Sequence, residues 1–146
     1  MMGARKLDSN IDLLDLISER HLLLRKKSVS LWNESSDIYI SNSEWFILAR
    51  IYQKGETTIS YVTKHVDITR QATHKFIKRL EEKGLVETKK LKYNKKVKGI
   101  QLTELGKECY EKNESLKADL EEKIANTIGA EQINRLKGIL KADWGL

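Results

Sequence analysis

The 146-residue chain contains no proline, a single cysteine and no long hydrophobic run. Each of these absences excludes something. With Cys109 alone, neither an intramolecular disulfide nor a multi-cysteine metal site can form. No apolar stretch approaches the roughly 18 residues of a membrane span, and the opening MMGARKLDSN lacks the apolar core of a secretory signal. A soluble, cytoplasmic protein with no membrane partner is therefore expected. There is no low-complexity run, no solenoid-length repeat and nothing resembling a linker. Also missing are a nucleophile with a nearby histidine, a phosphate-cradling glycine loop and a HExxH pattern, so an enzyme is not expected. His21, His65 and His74 fall on different predicted elements without ligand spacing, and neither a metal nor another cofactor is expected. Cys109 reads as a small buried hydrophobe.

What is present is charge, and it is unevenly placed. Residues 64–98 hold 12 Lys and Arg against Asp67, Glu81, Glu82 and Glu87, a local +8 in a chain whose total is +6. Everything outside that block is slightly acidic. A basic block on a near-neutral body suits a polyanion, because neutralising phosphates releases their condensed counterions.

At 40% hydrophobic and 33% charged residues, the chain has material for one compact domain, or for one domain plus an appended helical dimerisation element. From Ser9 to Glu34, Ile11, Leu14, Ile17, Leu24 and Leu31 recur at roughly helical spacing, and Leu13, Leu16, Leu22 and Leu23 widen the stripe. Ser41 and Glu44 have capping-box spacing ahead of a helix through Trp45, Phe46, Ile47 and Leu48 that stops near Gly55. Thr58 caps a short helix carrying Ile59, Val62 and Val66, and a tight connection at Asp67 and Ile68 follows. Thr69 then opens a second helix with Phe76, Ile77 and Leu80 on its buried face and Gly84 at its stop. The segments LVETKK and VKGIQL are compatible with a β-hairpin around a lysine-rich turn. Thr103 caps a long charged helix with a thin seam of Leu105, Leu116, Leu120 and Ile124. A last helix from about Ala130 places Ile133, Leu136, Ile139 and Leu140 on one side.

A short helix, a tight turn and a second helix with a basic outer face make a helix-turn-helix, and the hairpin behind it makes the motif winged. The expected fold is mainly α with a small β-hairpin wing. Thr69 and the free amides of its helix start suit a phosphate oxygen. Arg70, Gln71 and His74 carry donors able to meet base edges, Ala72 lies among them, and Lys75 and Lys78 suit phosphates.

These features resemble the MarR family of winged-helix transcriptional regulators over nearly the whole chain. FIKRLEEKGLVE is similar to that family's recognition-helix end and entry into the wing, and IQLTELG to its second wing strand and the threonine-capped helix after it. The resemblance implies one domain over 1–146, with a DNA-binding region at 41–103 and dimerisation helices at 9–34 and 104–144. It implies a homodimer on a double-stranded, pseudo-palindromic DNA operator, acting as a repressor released by a small apolar or phenolic effector. The family's wing usually carries aspartate and arginine where this chain has Asn94 and Lys95, followed by Lys96. Lysine is a hydrated point charge without arginine's fork, so backbone attraction is expected of this wing more than minor-groove reading. The resemblance would also place an effector pocket near Trp32, Tyr39 and Trp45, with His21 as a polar group. Competing readings are a winged-helix protein-interaction adaptor and a non-specific architectural DNA-binding protein.

Overall fold

Side-chain oxygens set most of the helix starts. In the computed structural model, which describes residues 11–90 and 97–146, Asp12, Ser41, Thr58, Thr69 and Thr103 each accept a backbone N–H three residues on, at 3.0–3.2 Å. Each satisfies an amide that the first helical turn leaves without a partner. The helices they open are α1 (Leu13–Ser35), α2 (Asn42–Lys54), α3 (Ile59–His65), α4 (Arg70–Glu82) and α5 (Glu104–Ile128). Gly129, at φ +102°, ends α5 and leads into α6 (Ala130–Lys141). The first helix therefore begins later than its apolar periodicity suggests, because Asp12 takes the cap.

The chain divides into two compact units, with the boundary after Asp37. Of α1, the exposed residues include Leu13, Leu14, Ile17, Leu22, Leu23 and Leu24.

In the second unit, Ile38–Leu146, the core is built from Ile40, Ile47, Leu48, Ile51, Val62, Ile77, Leu80, Leu85, Val86, Ile100 and Leu102, all buried. Fully covering a residue of this size contributes about 1.5–3 kcal/mol, so these residues outweigh the helix propensities of their neighbours. The expected two-stranded hairpin is a three-stranded antiparallel sheet in the order β1 (Thr57–Thr58), β3 (Lys98–Leu102), β2 (Val86–Lys90). Thr57 pairs with Ile100 and Val86 with Leu102. Two residues of β1 carry too little pattern to be seen as a strand in the sequence, yet they tie the start of α3 to the wing.

On α4, Thr73, Ile77 and Leu80 form the buried face, while Phe76, expected there, is only half-buried. The Thr73 hydroxyl, with no water to reach, donates to the Thr69 carbonyl at 2.9 Å. The helix closes where the Leu85 amide reaches back to the Leu80 carbonyl (3.0 Å) across Gly84, at φ +75°.

α5 buries Gly106, Cys109 and Asn113 along one face, while Leu105, expected in its apolar seam, is 40% exposed. Tyr52 of α2 stacks on Tyr110 of α5 with ring centroids 4.4 Å apart, and its hydroxyl donates to Glu111 at 2.8 Å. That acceptor holds the phenol proton and raises the pKa of Tyr52 above its ordinary value, while burial does the same for Tyr110. Burial pushes the Cys109 thiol up as well, against a smaller opposing pull from Lys112. On α6 only Ile133 is buried, and Leu136, Ile139 and Leu140 stand open in the single chain.

Candidate nucleic-acid interface

The turn from Val66 to Thr69 joins α3 to α4; α3 is held by two contacts from α2 and stiffened by a stack of its own rings. Arg50 of α2 donates through Nε to the His65 carbonyl (3.0 Å), the Tyr61 and His65 rings stack at 4.0 Å, and the Lys54 ammonium sits 5.1 Å from the Tyr61 ring. With α3 fixed and Thr69 capping α4, the first turns of α4 present Arg70, Gln71, His74, Lys75 and Lys78 to solvent. None of Arg70, Lys75 and Lys78 forms an ion pair with another described residue, so their charges stay available to a ligand. Ala72, between them, is half-buried, with its amide bonded to the Thr69 hydroxyl.

The sheet adds two more cations. Lys90 and Lys98 are direct partners on the last described rung of the β2–β3 ladder. Like charges opposite one another weaken a sheet, and a bound polyanion would relieve that repulsion. Asn94, Lys95 and Lys96 lie outside the described residues.

The basic block is less free than its sum suggests. Lys83 is bound to Glu44, and Lys89 stands 3.6 Å from Glu56. Lys90 and Lys98 were not singled out in the sequence reading, although alternation along the two strands could have placed them at the open end. The pairing of Lys83 had no local signal.

The four residues expected to line an effector pocket divide between the two units. His21 is exposed and Trp32 buried in the first; in the second, Trp45 is half-buried and Tyr39 is 63% exposed. A cavity of about 460 Å³ opens elsewhere in the second unit, with Tyr52, Glu56, Glu87, Gln101, Glu104 and Lys107 among its lining. None of the four residues lines it. Among the described residues, no group of three His, Cys, Asp or Glu side chains could hold a metal ion, and no helix is long and apolar enough to cross a membrane.

A capped short helix, a four-residue turn, a second helix with an exposed basic face and an antiparallel sheet behind it define a winged helix-turn-helix fold. Residues 40–98 match the model of the MarR family. The likeness in fold extends beyond the matched segment. A mutant of MarR from E. coli superposes with a TM-score of 0.76 at 21% identity, covering 92% of this chain and 97% of that one. A mutant of MepR from S. aureus, bound to an oligodeoxyribonucleotide, gives 0.66 at 19% identity, covering 90% and 94%. YusO from Bacillus subtilis gives 0.68 at 15% identity, covering 89% and 95%. Comparison by sequence with curated proteins finds no match.

Proposed function

We propose that the chain is a homodimeric regulator that reads a pseudo-palindromic DNA operator, represses transcription from it, and is released by a small apolar or phenolic effector. The observation that carries the DNA reading is the outer face of α4, where Arg70, Lys75 and Lys78 form no ion pair with another described residue. A helix start whose cations stand exposed, with no ion-pair partner among the described residues, has bonding capacity directed outward. Arg70, Gln71 and His74 would meet base edges; Thr69, Lys75 and Lys78 would fix the helix on phosphates, and Lys95 and Lys96 would draw the wing to the backbone.

The dimer is supported by apolar surface that a single copy leaves open. α1 exposes six large apolar residues, and the end of the chain exposes Leu136, Ile139, Leu140 and Trp144. A second copy covering both faces would remove them from water and set two recognition helices about 34 Å apart, one DNA turn. In this reading 41–103 is the DNA-binding region, and 9–34 and 104–144 are the dimerisation helices.

Enrichment of genomic fragments on the purified protein, followed by sequencing, tests the proposal. The expected result is a recurring inverted repeat that binds far more tightly than a scrambled duplex, with affinity falling steeply as salt rises. Equal affinity for both duplexes would leave an architectural DNA-binding protein, and no duplex binding at low salt would leave a protein-interaction adaptor. The effector arm is tested by titrating apolar and phenolic compounds against the DNA complex, following release together with intrinsic tryptophan fluorescence.

A further inference from the structure

Lys83, inside the most basic stretch of the sequence, directs its ammonium to a carbonyl and a carboxylate of its own fold, with its side chain 26% exposed. It donates to the Tyr39 carbonyl at 2.7 Å, to Glu44 Oε1 at 2.8 Å and to Glu44 Oε2 at 2.7 Å, and it lies 5.4 Å from the centre of the Tyr39 ring. Glu44 is equally committed: it is 1% exposed, and Oε1 also accepts the Ser41 amide at 3.0 Å in the capping box of α2. Withdrawing Lys83 would strand a carboxylate in the interior, which is among the more costly defects a fold can carry.

We propose that Lys83 is a positioning residue for sequence-specific DNA recognition: as the C-cap of α4, it locks the recognition helix to the start of α2 and to Tyr39, and so sets the angle at which Arg70, Gln71 and His74 meet base edges. The proposal rests on the reading of α4 as the DNA-reading helix. Its leverage follows from helix geometry. Thirteen residues separate Lys83 from Arg70, about 20 Å at 1.5 Å per residue, so a tilt of about 5° at the cap moves Arg70 by about 1.7 Å. Base-edge hydrogen bonds tolerate only a few tenths of an ångström, whereas a lysine on a phosphate can follow such a shift. Losing the lock should therefore reduce discrimination between sequences more than attraction to DNA.

The test measures wild type, Lys83→Met, Lys83→Arg and Lys78→Ala on an enriched duplex and a scrambled one at several salt concentrations, with thermal melts as a fold control. Lys83→Met is expected to lose roughly tenfold or more of the preference for the enriched duplex, the size of one base contact, with its salt slope unchanged. Lys83→Arg should restore much of that preference. Lys78→Ala should lower the salt slope by about one and leave the preference in place. Should Lys83→Met fail to fold, Glu44→Gln decides: it keeps an acceptor for Ser41 while removing the ionic link, and an intermediate loss of preference is expected. An unchanged preference in the folded variant would make Lys83 a stability contact only, and a salt slope reduced by about one with equal losses on both duplexes would make it a phosphate ligand. Either overturns the proposal. A wild-type chain that binds neither duplex would instead fail the DNA reading and remove the proposal with it.

Discussion

Gly106 of α5 passes so close to Leu85 that a β-carbon added to it would lie 2.0 Å from the Leu85 carbonyl oxygen. The same carbonyl accepts the Thr103 amide at 3.1 Å, and the Thr103 hydroxyl donates to the Gly84 carbonyl at 2.6 Å. The start of α5 is thus seated on the backbone that leaves α4. Gly106→Ala is expected to cost about 3 kcal/mol or more, since the obstacle is main chain and cannot rotate away. Urea unfolding should show a lower midpoint at similar slope; a variant as stable as wild type would mean that α5 can shift off Leu85 without loss.

Base reading and backbone attraction should separate by mutation. Arg70→Ala is expected to lose about 1–3 kcal/mol on the enriched duplex and to relax preference at particular base pairs. Lys95→Ala should weaken binding to all duplexes and lower the salt slope by about one. Titration of both variants against enriched and scrambled duplexes checks this. Equal losses for Arg70→Ala would reduce α4 to an electrostatic anchor, and a changed sequence preference for Lys95→Ala would give the wing a reading role.

The open face of α6 gives a test of the dimer. Leu136→Glu combined with Leu140→Glu places two charges where apolar side chains are 47% and 54% exposed in the single chain. Sedimentation at micromolar concentration should register monomers, with helix content by circular dichroism largely kept. A double variant that sediments as wild type would take α6 out of the interface.

The thiol of Cys109 should react slowly. It is buried, and burial raises its pKa, so little thiolate is present at neutral pH. With a disulfide reagent at pH 7.5, the folded protein is expected to lag far behind the same chain in denaturant. Rapid labelling of the native protein would mean that this face of α5 opens readily.

Alkaline pH should weaken the fold through the stacked tyrosines. Both Tyr52 and Tyr110 have raised pKa values, so above the ordinary tyrosine value near 10 the unfolded chain releases protons that the folded chain retains. Their contribution is complete below that pH and declines as pH rises through the folded values. Chemical unfolding from pH 8 to 11 should show a shallower decline for the Tyr52→Phe, Tyr110→Phe double variant. Identical profiles would remove the tyrosines as the cause.

Much of the helical framework was legible because its signals are local. The capping box at Ser41 and Glu44 and the caps at Thr58, Thr69 and Thr103 link residues three apart, a distance that the chain itself enforces. The glycine stops at Gly55 and Gly84 follow from backbone freedom at positive φ. β1 was not legible, since two residues have no periodicity and become a strand only because Ile100 and Gly99 lie beside them. Phe76 and Leu105 carried the right spacing for burial, yet neither is fully covered, because the neighbouring elements decide how wide a stripe is enclosed.

By itself the sequence determined where most helices begin and end, which face of α4 is apolar, and that the segment behind the short helix is strongly basic. Tertiary structure decided which of those cations are free. Lys83 and Lys78 look alike in the chain, but Lys83 meets a carboxylate 39 residues away and Lys78 pairs with no described residue. Caps and periodicity arise between groups held close by the covalent chain. The availability of a charge depends on what folding brings to within about 4 Å of it, where the electrostatic energy is concentrated.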